Sequence, residues 1–355
     1  MTFATTADPR WSDLRNRWSA LKGAEPLLRA RDAAERLGVS EGELLAARCG
    51  EGVVRLDRRW KELLQALPKL GRVMALTRNE QAVHEKVGQY DKITVAGKMG
   101  LALAEDIDLR IFLGHWHFAF AAAEETRSGL RHSLQIFDRD GTAVHKIYLR
   151  EESNHEAYQA LLAAHRNEDQ RPGIEVEALP IRQADKLDSS VDQAALRARW
   201  LALKDVHDFR DLLIDLGVGR EQSFRLVGRD YAYPVARDSF RRALEIATAQ
   251  ALPIMVFVGS PGVIQIHSGP VNTLKELGPW FNVLDPGFNL HLRQNLIAAA
   301  WVVKKPTSDG TVTSLEILDS ERQTVAMMFG KRKPGEAELE GWRILVDSLE
   351  RTSEA

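Results

Sequence analysis

Apolar residues fall three or four positions apart through residues 26–37, and Gly38 follows as a stop, so the spacing predicts a helix there. Trp60, Leu63, Leu64 and Leu67 predict a second helix. Alternating or short continuous apolar runs then predict strands at 73–76, 109–113, 134–137 and 144–149. A second series follows at 254–258, 263–266, 290–292, 312–318 and 324–329. Asp138-Arg139-Asp140-Gly141 and Ser308-Asp309-Gly310 have turn composition and predict hairpins. Helices followed by a meander of strands argue for an α+β fold with antiparallel sheets rather than βαβ units.

The two series are spaced as a repeat. Arg17-Trp18-Ser19-Ala20-Leu21-Lys22 matches Arg199-Trp200-Leu201-Ala202-Leu203-Lys204. At nearly the same offset Met74 matches Met255, Gly88 matches Gly269, Leu109 matches Leu290 and Ser133-Leu134 matches Ser314-Leu315. An offset held this long predicts a tandem structural repeat, each copy a large antiparallel sheet packed with helices. The expected boundaries are 1–165 and 192–355, joined by a linker at 166–191. That linker carries Arg171-Pro172-Gly173 and the polar run Asp188-Ser189-Ser190, and at most one short strand at 174–178.

Composition narrows the function. Forty-eight Lys and Arg against 50 Asp and Glu leave a formal charge of −2, which speaks against a dedicated nucleic-acid binder. A DNA-binding or regulatory protein is therefore the least favoured class. The single Cys excludes an internal disulfide or a thiolate cluster, and fits a reducing cytoplasm. The N-terminus lacks the pattern of a secretory signal, and no apolar run is long enough for a membrane helix.

Common catalytic motifs are missing: there is no Gly-x-Gly-x-x-Gly, phosphate loop, His-Glu-x-x-His or Gly-x-Ser-x-Gly. Gly259-Ser260-Pro261-Gly262 reads as a turn between strands, and His115-Trp116-His117 as a strand or loop edge rather than a metal pair. His207 is more informative. Val206, Phe209, Leu212, Leu213 and Leu216 form one helical stripe, and His207 falls off it near Ile214. Its ring is then either a plain surface group or the wall of a groove. His84 is the comparable residue of the first copy, and its repeat partner is Gln265. In the strand at 108–113, Arg110 and Phe112 share one face with Asp108, opposite Leu109, Ile111 and Leu113. Such a face is either solvated or lines a pocket for a flat, partly anionic ligand. Arg220, Lys305 and Arg332 read singly as surface charges.

Several stretches together resemble the HemS/ChuS/HmuS/PhuS family of cytoplasmic haem-utilisation proteins. They are Thr77-Arg78-Asn79-Glu80 with Val83-His84-Glu85, Asp106-Ile107-Asp108-Leu109-Arg110, Asp205-Val206-His207, Ile254-Met255-Val256-Phe257-Val258-Gly259 and Lys305-Pro306-Thr307-Ser308-Asp309-Gly310. The resemblance implies haem b as ligand or substrate, bound in a cleft of the second copy with His207 as the axial ligand of iron. It implies Arg110, beside Phe112, as a distal group reaching across from the first copy and acting in any ring opening. Phe257 is implied as a pocket aromatic, and Arg220, Lys305 and Arg332 as propionate anchors. His84 matches a residue linked to a second haem site in part of the family. The chain departs from some members at Met327 and Phe329, where they carry Gln and Tyr, and at Asp208 and Arg210, where they carry further histidines. The implied partners are an inner-membrane haem importer and a haem oxygenase, with no insertion into the membrane. Carrier and stand-alone haem-degrading enzyme both remain open at this point.

Overall fold

Gly38 takes a left-handed conformation (φ 71°) that ends the first predicted helix, and Gly141 (φ 79°) and Gly310 (φ 100°) do the same work in the two predicted hairpin turns. The computed structural model describes residues 8–126, 129–180, 183–333 and 335–353. Its first half carries helices α1 (Pro9–Ala24), α2 (Ala30–Leu37), α3 (Glu41–Ala46), α4 (Trp60–Ala66) and α5 (His155–His165). Its strands are β1 (Val53–Leu56), β2 (Arg72–Arg78), β3 (Ala82–Gln89), β4 (Ile93–Ala96), β5 (Met99–Leu103), β6 (Asp108–Phe112), β7 (Phe118–Thr126), β8 (Gly129–Phe137) and β9 (Ala143–Leu149). The second half repeats this order. Its helices are α6 (Gln193–Leu201), α7 (Asp208–Leu216), α8 (Arg220–Val227), α9 (Ser239–Ala249) and α10 (Glu340–Asp347). Its strands are β10 (Ala232–Val235), β11 (Ile254–Gly259), β12 (Val263–Gly269), β13 (Leu274–Leu277), β14 (Trp280–Asp285), β15 (Phe288–Arg293), β16 (Ala299–Thr307), β17 (Gly310–Leu318) and β18 (Thr324–Gly330).

The strands form two nine-stranded sheets, ordered β1-β7-β8-β9-β2-β3-β15-β14-β13 and β10-β16-β17-β18-β11-β12-β6-β5-β4. The α+β class, the large antiparallel sheets and the repeat agree with the sequence. The predicted strands at 73–76, 109–113, 134–137 and 144–149 all appear, most of them longer than expected. No strand forms at 174–178. There Gly173 N–H donates to Ala46 O (2.8 Å) and Ile174 is buried, so the segment is packed down as irregular chain.

Two compact units are resolved: Met1–Arg78 with Glu85–Pro180 and Ser260–Gln265, and Asn79–His84 with Ile181–Gly259 and Ile266–Ala355. In unit 1 the apolar core gathers Leu63, Leu67, Val73, Leu109, Ile111, Ile136, Ile147 and Tyr158. Unit 2 has one core around Phe240, Val256, Phe281, Leu315 and Trp342, and another around Trp200, Phe209, Leu212, Phe224 and Trp301. The second holds α6, α7 and α8 onto β16, and so fixes the start of α7.

A buried hydrogen-bond chain runs through unit 1. Gln265 Nε2–H donates to Ala75 O (3.0 Å), and Thr77 Oγ1–H donates to Gln265 Oε1 (2.8 Å). With its hydrogen committed, Thr77 Oγ1 accepts from His145 Nδ1–H (2.9 Å). His145 Nε2 therefore accepts from Tyr90 O–H (2.6 Å). Burial favours this neutral ring and lowers its pKa from 6.5 to about 3.

A prediction follows from that shift. The unfolded chain binds a proton at position 145 below pH 6.5 that the folded chain refuses, so this contribution is complete above pH 6.5 and is lost as the pH falls. His145→Gln should flatten the decline in unfolding free energy from pH 6.5 to 4.5 by up to ~1.4 kcal/mol per pH unit. Urea unfolding across that range measures it, and parallel curves for the two proteins would refute it.

Candidate functional site

Lys204 to Leu216 shows how the sequence places His207. Phe209 and Leu212 are buried, Leu213 and Leu216 pack partly against the same core, and Ile214 is exposed, as the stripe requires. His207 is the residue just before α7, in a turn rather than inside the helix. Its side chain is 80% exposed. Asp205 holds it from behind: Oδ1 accepts from the His207 backbone N–H (2.8 Å) and from ring Nδ1–H (2.5 Å). These bonds, the backbone one foremost, and the charge of Arg332 hold Asp205 below the usual carboxylate range. With Nδ1 occupied, the lone pair on Nε2 remains to face outward.

Two residues on, Phe209 turns inward and meets a charge cluster. Lys305 Nζ lies 4.5 Å from its ring centroid, and the Arg220 guanidinium carbon 5.2 Å. Both cations hold Glu316, which is fully buried: Arg220 Nε donates to Oε2 (2.8 Å) and Lys305 Nζ to Oε1 (3.3 Å). Ser314 Oγ also donates to Oε1 (2.9 Å). Burial works to raise the Glu316 pKa, but the two cations outweigh it and hold the carboxyl ionised. Burial pushes Lys305 below the ordinary lysine range, with Arg220 adding to the shift and Glu316 resisting it. Arg220 and Lys305 are therefore internally paired, with one net positive charge between them and Glu316.

Sheet register completes this face. Glu316 pairs across to Met327, and Met327 to Phe257. Phe257 and Phe329 touch at 5.0 Å between centroids, and Arg220 reaches the Met327 sulfur at 3.2 Å. Met255, Phe257, Met327 and Phe329 are all partly exposed, so they give unit 2 a flat apolar surface beside its cations. Arg332 stands apart from that cluster. It bonds Asp309 Oδ2 at 3.5 Å and reaches the site through its effect on Asp205.

In unit 1, Leu109 and Ile111 are fully buried, while Asp108, Arg110 and Phe112 are partly exposed on the opposite face of β6, as alternation predicts. Arg110 is bound to Asp108, whose carboxyl is pushed up by burial against the pull of that guanidinium. His115 pairs with Asp138 (2.8 Å), and no group of three or more His, Cys, Asp or Glu is placed for a metal ion among the described residues. His84 is fully buried in unit 2 with its ring against Phe288 (4.9 Å), a setting unlike the exposed ring of His207.

Two site residues escaped the sequence reading. Asp205 was visible as an Asp-x-His spacing, and Glu316 as the one charge in the otherwise uncharged strand β17.

The haemin-degrading HemS/ChuX domain model matches residues 38–165 and 217–349, more than half of the chain. The chain belongs to this family. It is 39% identical over 339 residues to the hemin transport protein HmuS of Yersinia pestis, covering 95% of this chain and 97% of HmuS. Among solved structures, holo-PhuS, a haem-binding protein from Pseudomonas aeruginosa, matches with a TM-score of 0.94 and 47% identity, over 96% of this chain and 99% of PhuS. The haem-degrading enzyme ChuS of Escherichia coli O157:H7 matches with a TM-score of 0.90 and 36% identity, over 96% and 99%. No helix among the described residues is long and apolar enough to cross a membrane.

The charge cluster gives a direct test. Removing one partner of a buried ion pair strands the others, so Glu316→Gln should lower the unfolding free energy by about 3–5 kcal/mol. Adding Lys305→Met should recover part of that loss in urea unfolding. A loss no larger than that of an exposed substitution would show that the cluster is not coupled.

Proposed function

We propose that this protein binds haem through His207, receives it as imported cargo in the cytoplasm, and passes it to a haem oxygenase or takes part in its oxidative degradation. The observation that carries the reading is the exposed His207 ring, held at Nδ1 by Asp205 with Nε2 left to ligate iron. The residues around it suit the rest of the molecule. Met255, Phe257, Met327 and Phe329 offer apolar contact to a porphyrin face, and Arg220, Lys305 and Arg332 offer charge to its carboxylates. Because Glu316 already takes part of the charge of Arg220 and Lys305, one haem carboxylate matches what remains. Arg332, held by long contacts to Asp309 Oδ2 (3.5 Å) and the Glu336 carbonyl (3.4 Å), is the candidate for the other.

Asp205 does more than orient the ring. A carboxylate accepting Nδ1–H pushes electron density toward Nε2 and makes it the stronger donor to ferric iron. Bound haem supplies the redox chemistry; the protein supplies the ligand, its tautomer and the surrounding charge. The family resemblance supports Arg110, with Phe112 beside it on β6, as the group that would hold an oxygen ligand of bound haem by a charge-assisted hydrogen bond.

A second reading, a stand-alone haem-degrading enzyme, draws on the likeness to ChuS along nearly the whole chain. Purified protein loaded with haem and given reductant and air, with catalase present, separates the two. Decay of the porphyrin band with iron release supports the enzyme. A complex that empties only when a haem oxygenase is added supports the carrier.

His207→Ala should fold normally and lose the ferric Soret spectrum, because the ring lies outside the core. An unchanged spectrum would overturn the assignment. Asp205→Asn should keep haem but raise the reduction potential of the complex, read by spectroelectrochemistry, and an unaltered potential would remove the role given to Asp205. Arg110→Ala should retain haem while changing the sixth-ligand spectrum.

A further inference from the structure

Away from the surface of Phe257 and Met327, unit 2 contains a pocket of about 560 Å³ whose wall includes Trp301, Arg225, Arg229 and Arg322. Trp301 is 2% exposed, yet its indole Nε1–H has no hydrogen-bond partner among the described residues. A buried donor without an acceptor is rarely tolerated unless something else satisfies it. The charges around it show what kind of group would. Arg225 is spent: it donates to Glu221 (2.9 Å) and is bound to Asp188. Arg229 donates only to a neutral carbonyl, Ser353 O (3.0 Å), and makes no ion pair among the described residues. Arg322 makes none either. It stands at the hairpin between β17 and β18 with a positive φ of 60°, and its backbone N–H closes the turn on Asp319 O (3.0 Å). Two carboxylates also line the pocket. Glu221 is committed to Arg225, and Asp185 lies against Gly219, where an added Cβ would meet its oxygen at 2.3 Å.

We propose that this pocket binds a small free oxyanion, a carboxylate or a phosphate. Its oxygens would accept from the Trp301 indole N–H, and its charge would be met by Arg229 and Arg322. Guanidinium groups present paired donors that match such oxygens, and the buried N–H adds a contact that a neutral or cationic ligand could not use as well. The site shares no residue with the haem surface proposed above, and it stands whether or not that reading holds.

The test follows the indole signals of ¹⁵N-labelled full-length protein, with the Trp301 resonance assigned by its disappearance in Trp301→Phe. Sodium phosphate and sodium acetate are titrated separately, each against sodium chloride at matched ionic strength. A saturable shift of the Trp301 signal with phosphate identifies a phosphate site, and with acetate a carboxylate site. The double variant Arg229→Gln/Arg322→Gln should weaken either titration by at least about tenfold while leaving the haem Soret titration unchanged. Both arginines are exposed, so the variant keeps the core intact. The proposal fails if neither anion moves the Trp301 signal beyond the chloride control, or if the double variant titrates like the parent.

Discussion

A carboxylate cut off from water has to be matched by cations, and Glu316 sets the terms for the face of unit 2 that carries Phe257, Met327 and Phe329. It draws Arg220 from the first turn of α8 and Lys305 from β16 onto one point, and both then lie against the ring of Phe209. Phe209 in turn packs on Trp200 and Phe224, which seat α6, α7 and α8 on the sheet. The turn carrying His207 is thus anchored by a cluster two residues further on. A surface ion pair would do this poorly, because solvent screens it and its side chains stay mobile.

Unit 1 solves the same problem with the opposite placement of charge. Ser40 and Glu43 cap α3 as Gly219 and Gln222 close the start of α8, which sets Glu41 in the place of Arg220. Glu41 is buried and held by Lys146 from β9 and Arg78 from β2. Lys146 is the repeat counterpart of Met327. The two copies therefore keep a buried carboxylate bridging helix and sheet, but unit 1 fills with charge the surface that unit 2 leaves apolar. Leu28, not a histidine, precedes α2 by the same alignment. An exposed histidine ahead of this helix is thus a feature of one copy, for reasons of composition at these few positions.

The periodic parts of the fold were legible because one side of each element is buried: the α7 stripe, the alternation of β6 and the hairpin turns all read directly from residue type. The repeat was legible for the same reason, since core positions recur at fixed spacing. Strands such as β4 and β13 escaped because each is only four residues long and none of those residues is fully buried. Burial of His84 was not legible either. It alternates in β3 with Val83 and Glu85, which are only partly buried, so an apolar residue on the other face of the strand masks the inward turn of His84. Glu316 and Asp205 matter through partners far along the chain or through a turn, which spacing along one element does not reveal.

The donors and acceptors from Tyr90 to Ala75 all point one way, and that has a consequence for how the strands align. Gln265 is flanked by Ile264 and Ile266, so sliding β12 by one position would offer a hydrocarbon to the Thr77 hydroxyl and strand every link behind it. The polar thread therefore works as a keyed lock on strand alignment, in a molecule whose two halves repeat the same order of strands.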